Sequence, residues 1–240
     1  MGERFVMTHC PIPVAHGLFD PAHERDSCGV GFVAHIKNRQ SHNIIRHGLQ
    51  ILVCLNHRGA VGADPLASDG CGLLIQMPDR FLRAEAARCG IALPREGHYA
   101  CGMVFLPRDD ALRTVCETTL ARLIEAEGQV LLGWRDVPVE SSCLGESVKP
   151  VEPIIRQIFI GRGMGCIDRD TFERKLFVIR KQAFNAVHAQ AGKVARAFHL
   201  PSLSSRTLVY KGMVMAPRMA DYFTDLTDPR LESAIALVHQ

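Results

Sequence analysis

The residues Ser27-Cys28-Gly29-Val30-Gly31-Phe32 place a cysteine at the head of an alternating apolar stretch. Ahead of it lie 27 irregular residues with Pro11, Pro13, Pro21, Asp20, Glu24, Arg25 and Asp26. A cut in front of Cys28 would put a thiol and a free α-amine on one residue. The thiol can attack a carbonyl carbon. The amine, with a reference pKa of roughly 7.7–8.0, can take up and return a proton near neutral pH. Nucleophile and base then form one unit. Taken alone, the same six residues also suit a small buried cysteine opening a strand. Residues 1–27 are therefore read as a leader and 28–240 as the working domain.

Other chemistry is excluded by composition and spacing. The nine cysteines are an odd, dispersed set with no Cys-x-x-Cys, which argues against a zinc site, a redox pair or a cluster and suits free thiols in a reducing compartment. His35, His42, His47 and His57 fall close together without a metal-ligand spacing, so no metal site is assigned. A net charge of +3 with scattered Lys and Arg gives no nucleic-acid footprint. The first 27 residues lack an apolar signal core, Val6 stands where myristoylation needs Ser or Thr, and no apolar run is long enough to span a membrane. These features predict a cytoplasmic chain that engages neither nucleic acid nor membrane.

The elements that must position Cys28 follow from periodicity and punctuation. Residues 28–36 read as a buried strand with Val30, Phe32, Ala34 and Ile36 turned inward. Ser41 caps a helix to about Asn56 along the stripe Ile44, Ile45, Leu49, Leu52, Leu55. A glycine-rich loop runs from His57 to Gly70, followed by a strand over 71–77. Pro78-Asp79 opens a helix that Gly90 closes; Asp109-Asp110 opens another that Gly128 ends. Strands are predicted over 99–106, 130–139, 152–160, near Ala197, over 208–214 and over 234–240. Asp170 is read as the cap of a helix carrying Phe172, Leu176, Ile179 and Phe184, and a helix is expected over 217–226. The Gly161-Arg162-Gly163-Met164-Gly165 run lacks phosphate-loop spacing and reads as a turn. Grouped strands and helices predict an α+β arrangement.

Three segments together resemble one family. Cys28-Gly29-Val30-Gly31-Phe32, the loop from His57-Arg58-Gly59-Ala60 through Asp64 to Asp69-Gly70-Cys71-Gly72, and Ser202 through Gly212 are similar to the glutamine amidotransferase domain of the glutamate synthase large subunit. Phe172-Glu173-Arg174-Lys175-Leu176 with Ile179-Arg180-Lys181 resembles its intervening helix. The resemblance implies a four-layer αββα N-terminal-nucleophile hydrolase fold, incomplete at its C-terminal end, and removal of the leader before Cys28. It implies glutamine hydrolysis to glutamate and ammonia, with ammonia passed to glutamate synthesis elsewhere in a longer enzyme. Cys28 becomes the nucleophile and Arg58 the holder of the substrate carboxylate. Gly59, Asp64, Asp69 and Gly70 become shapers of the loop. Arg206 and Lys211 are placed on the cleft wall, positions that a strand's solvated face also uses.

No cofactor is expected in this segment; FMN and an iron–sulfur cluster are implied for the full-length enzyme, with a small reductase subunit as a further partner. Cys71 departs from the family's alanine between two glycines. The family's Arg-Phe-Ser-Thr segment and its Asn-Gly oxyanion donors would follow Gln240. The sheet holding Leu237 and Val238 would then lack its next strands and is expected to leave an exposed edge and apolar surface prone to association. Two alternatives remain at this point: a non-catalytic remnant or interaction module of the same fold, and another Cys-first amidotransferase, against which the Ser204-to-Gly212 run argues.

Overall fold

The structure is a computed structural model and describes residues 28–60, 63–191 and 197–240. The expected leader 1–27 and the Val61-Gly62 pair of the loop lie outside the described residues. Eight strands are present among them: β1 (Val30–Ala34), β2 (Cys71–Gln76), β3 (Tyr99–Leu106), β4 (Val130–Asp136), β5 (Ile154–Gly161), β6 (His199–Ser204), β7 (Thr207–Gly212) and β8 (Ile235–His239). The helices are α1 (His42–Cys54), α2 (Asp79–Arg88), α3 (Asp110–Ala126), α4 (Arg169–Ala191) and the single-turn α5 (Met219–Tyr222).

The strands form two antiparallel sheets, in the orders β1-β8-β2-β7 and β4-β5-β3-β6. The fold is α+β. In the second sheet alternation sorts side chains between two cores. Ala100, Val104, Ile158 and Ile160 pack under α3 and α4 with Leu120, Ile124, Phe172 and Leu176. Cys101, Met103, Ile155 and Phe159 turn the other way and join Leu73, Ile75, Leu208 and Tyr210 of the first sheet, with α1 and α2, in the larger core. Gly48 lets α1 approach its sheet: a Cβ there would stand 2.7 Å from the Cβ of Ala236 and 3.2 Å from Leu73 Cδ1.

A two-residue turn, Ser205-Arg206, ties the sheets together by joining β6 to β7. Ser205 is fully buried there, and both its N–H and its hydroxyl donate to Glu173 Oε1 at 2.6 Å. Local signals account for several helix ends. Asp109 accepts from the Leu112 N–H at 3.0 Å, and Gly90 and Gly128 close their helices with φ of +74° and +70°.

Several expectations are corrected. Val30, Phe32 and Ile36 are 62%, 68% and 101% exposed, so they form the outer face of β1. The helix lies on the other face, where Gly31 is required: a Cβ there would sit 2.5 Å from Ile51 Cγ2. A period of two separates the faces of a strand without saying which one a helix covers. β8 lies inside its sheet between β1 and β2, Val238 is buried, and among the described residues the outer strands of that sheet are β1 and β7.

The cap of α4 is Asp168, which accepts from the Thr171 N–H at 2.6 Å, while Asp170 turns outward to Arg206. Phe184 of α4 is 42% exposed and stacks on His188. The strand expected near Ala197 is β6, starting at His199. The helix expected over 217–226 is broken into α5 between two 3₁₀ turns, because Phe223 leaves the helical conformation with ψ of 91° and enters the core edge-on to Tyr210 and Tyr222.

Candidate active site

Cys28 stands just ahead of the edge strand β1 with its side chain exposed. The β1–β8 ladder continues one residue past the Val30–His239 pair. Gly29 N–H donates to the Gln240 carbonyl at 3.0 Å, and Gln240 N–H returns to the Gly29 carbonyl at 2.8 Å. Cys28 is thus held by main-chain bonds to its neighbour. By strand alternation its thiol shares the face of Val30.

That face borders a cavity of about 830 Å³ whose wall includes Cys28, Asp69, Gly70, Gly72, Lys211 and His239. Register explains the grouping. Gly72 is opposite His239 on one side and Lys211 on the other, so a row Val30–His239–Gly72–Lys211 crosses the sheet next to the cysteine. The bare Cα of Gly72 leaves a notch between the two basic side chains; a Cβ there would lie 3.2 Å from that of Lys211.

The loop beside the cysteine is built from a 3₁₀ turn, Asn56–Arg58, after α1. The β and γ carbons of Arg58 lie 3.2 Å from where a Cβ on Gly29 would stand, so its stem packs against the residue that follows Cys28. Gly59 faces Gln240, whose Nε2 would be 2.1 Å from a Cβ at 59. Asp69 closes the loop: its carboxylate accepts from the Ala60 N–H at 3.1 Å, and its own N–H donates to the Ala60 carbonyl at 3.3 Å. Gly70 adopts φ +104° against the Gly212 carbonyl.

Asp64 acts further out. It accepts from the Ser147 N–H at 3.0 Å, the Ser147 hydroxyl at 2.7 Å and the Leu66 N–H at 3.0 Å. The Ser147 bonds foremost hold its carboxyl below the usual carboxylate range.

Lys211 is exposed on the cavity wall. Arg206 lies elsewhere, on the β6–β7 turn, in an ion pair with Asp170 and with its carbonyl accepting from the Met77 N–H at 2.8 Å. Cys71 also borders the cavity but is buried, and its Sγ donates to the Val214 carbonyl at 3.2 Å. Burial pushes that thiol up to about 12, so it stays protonated where Cys28 is open to attack a ligand.

Sequence reasoning named Gly72 within its motif but could not place it between His239 and Lys211, or Gln240 beside Gly29, which strand register alone decides. It also missed the anchor behind β7. Arg135 clasps Asp225 through two bonds of 2.8 and 2.7 Å and donates to Gln157 at 2.9 Å, while the Tyr210 hydroxyl donates to Asp225 at 3.0 Å. Burial works against the Arg135 charge, but the Asp225 carboxylate outweighs it and holds the guanidinium well above its usual value. Tyr210 directly precedes Lys211, so this buried clasp fixes one wall of the cavity.

Among the described residues no three His, Cys, Asp or Glu side chains are grouped to hold a metal ion, and no helix is long and apolar enough to cross a membrane.

Comparison with known proteins follows this geometry. The family described as class-II glutamine amidotransferases matches residues 28–240. The chain is 44% identical over 233 residues to the glutamate synthase [NADPH] large chain of Bacillus subtilis, covering 97% of this chain and 15% of that protein. It is 37% identical over 223 residues to the chloroplastic ferredoxin-dependent glutamate synthase 2 of Arabidopsis thaliana, covering 93% and 14%. It is 35% identical over 247 residues to the glutamate synthase [NADPH] large chain of Azospirillum brasilense, covering 100% and 16%. The chain thus spans about 15% of the length of such relatives. A cysteine poised at a strand end over a cavity, in a chain matched from that residue onward, has one family assignment: this chain belongs to the class II glutamine amidotransferases.

Proposed function

We propose that this chain hydrolyses the side-chain amide of L-glutamine to glutamate and ammonia, and that the longer protein uses the ammonia to make glutamate. The observation that carries the reading is Cys28, exposed at the end of a core sheet and bordering the cavity, at the first residue matched by the family. In this reading the leader is cut between Ser27 and Cys28. The freed α-amine takes the thiol proton as the sulfur attacks the amide carbon. The C–N bond breaks, the amine returns a proton to the leaving nitrogen, and ammonia departs. Water then attacks the thioester, giving glutamate and restoring the thiol. Arg58, packed beside Gly29, holds the substrate carboxylate.

Names of the relatives support the coupling to glutamate synthesis. FMN and an iron–sulfur cluster belong, on this reading, to segments outside residues 28–240. A small reductase subunit and a cytoplasmic setting complete it. The test is N-terminal sequencing of the mature full-length protein together with a glutaminase assay. Cys28 is expected as the first residue, and Cys28→Ala is expected to abolish ammonia release. A mature protein that keeps residues 1–27 and still hydrolyses glutamine overturns the proposal.

A further inference from the structure

The cavity has a second end. Cys28 borders it from the head of β1, and Lys211 borders it from β7, at the other side of the sheet order β1-β8-β2-β7. The strand spacings between them, about 4.8 Å each, amount to about 14 Å of sheet. A glutamine whose amide carbon sits at the Cys28 thiol covers only part of that span. The far end has room for another molecule.

Basic groups from three elements converge there. The turn Ser205-Arg206 folds β7 back along β6, and the Val209 N–H donates to the Ser202 hydroxyl at 3.1 Å. Counting on from that pair sets Lys211 level with Leu200 and Gly212 level with His199. His199 is half-buried on the cavity wall, its ring centroid 6.0 Å from that of Phe105. His188 of α4 borders the same cavity; its Nδ1 donates to the Phe184 carbonyl at 2.9 Å, which leaves Nε2 to meet a ligand. Arg180, also of α4, donates to the Leu200 carbonyl at 2.9 Å, next to His199.

The acids on the cavity wall do not offset these groups. They are Asp69 and Glu152. Asp69 accepts from the Ala60 N–H, and Glu152 accepts from Tyr222 at 2.9 Å, Ser141 at 2.8 Å and Arg108 at 2.7 Å. Both carboxylates are engaged in holding the fold. Phe105, Phe198 and Val209 make the wall beside the basic groups apolar. Cations set in an apolar wall suit a carboxylate with a hydrocarbon body better than a strongly hydrated phosphate.

We propose that the far end of the cavity is a second binding site, for an organic carboxylate, in which Lys211 and His199 hold the carboxylate and Phe105, Phe198 and Val209 cover its carbon body. The site is separate from the place of glutamine and does not depend on the chemistry assigned to Cys28. Lys211 is charged throughout the neutral range. Burial first, then Lys211, Arg180 and His188, hold the His199 imidazole below its usual range. A bound carboxylate favours the protonated ring, so binding takes up a proton and tightens as pH falls. The charged groups that face His199 are Lys211 from β7 and Arg180 and His188 from α4, while β3 offers Phe105.

The experiment uses the full-length protein alkylated at Cys28 with iodoacetamide, which closes the place of glutamine. Hexanoate and inorganic phosphate are titrated into it by calorimetry at pH 6 and pH 8, in wild type, Lys211→Met and His199→Gln. Hexanoate is expected to bind wild type about three- to tenfold more tightly at pH 6 than at pH 8. Lys211→Met should weaken it about tenfold or more at both. His199→Gln should keep binding at pH 8 and lose the pH dependence, and phosphate should bind more weakly than hexanoate.

Lys211 is exposed, so Lys211→Met keeps the fold and decides the matter even if His199→Gln does not fold. Equal hexanoate affinity in wild type and Lys211→Met overturns the proposal, as does no binding at either pH. Phosphate that binds as tightly as hexanoate, with the same dependence on Lys211, also overturns it, because the apolar wall then takes no part. A protein that hydrolyses no glutamine defeats the earlier reading and leaves this test as it stands.

Discussion

Replacing Gly70 by alanine should cost more than its backbone angle alone. Gly70 has φ +104°, and a Cβ there would lie 2.6 Å from the Gly212 carbonyl oxygen, a main-chain atom that cannot swing aside. The left-handed conformation costs an L-residue about 1–2 kcal/mol, and forcing a methyl into packed surroundings costs about 1–3 kcal/mol more. Gly90 is the internal control, because it has φ +74° with nothing within 4 Å of its Cβ position. Gly90→Ala should therefore show the angular cost alone, and Gly70→Ala the angular plus the steric cost. Urea unfolding of this chain, followed by its single tryptophan, Trp134, separates them. With a slope of about 2 kcal/mol per M, Gly70→Ala should lower the midpoint by roughly 1–2.5 M and Gly90→Ala by about 0.5–1 M. The full-length protein carrying Gly70→Ala should also lose glutaminase activity, since Gly70 borders the cavity. Equal midpoints for the two variants would show that the β2 and β7 ends yield freely, and the steric reasoning would be wrong.

The remaining expectations concern the anchor and the thiols. Asp225→Ala removes the hydrogen-bonded partner of the buried Arg135 guanidinium, leaving only the Glu85 carboxylate 3.6 Å away, and should destabilise the domain by about 3 kcal/mol, whereas Arg135→Met with Asp225→Leu should recover part of that loss; denaturant titration checks both, and a wild-type midpoint for Asp225→Ala would refute the account of the clasp. Brief iodoacetamide treatment of the native protein at pH 8 should label Cys28, which is exposed, and spare Cys71, which is buried and whose thiol burial holds well above its ordinary pKa. Peptide mapping reads the result, and labelling of Cys71 as fast as Cys28 in folded protein would show that its burial is not maintained.

Much of this protein is written locally. The helix ends at Asp109, Gly90 and Gly128, the strand β3 and the loop from His57 to Gly70 are legible because capping, turn chemistry and short-range periodicity act over a few residues. Cys28, Arg58, Asp69 and Gly70 could be picked out for the same reason: their types and spacing are in the chain itself. Which face of β1 meets α1 was not legible, because Val30 and Phe32 are as apolar as a core face. The choice falls to Gly31, the residue that gives the helix room.

The place of β8 was further out of reach. A strand last in sequence inserts between the first two, and that pairing spans some two hundred residues. Only this insertion brings His239 beside Gly72 and Gln240 beside Gly29. The clasp of Arg135 on Asp225 is hidden for the same reason, since each reads as an ordinary surface charge until folding brings together two positions ninety apart in the chain. The sequence by itself determined the place of the Cys28 thiol at the head of its strand and the loop next to it, because these depend on covalent order and local conformation. The tertiary structure alone decided what surrounds them, because strand register and burial are set by contacts between segments that carry no local record of one another.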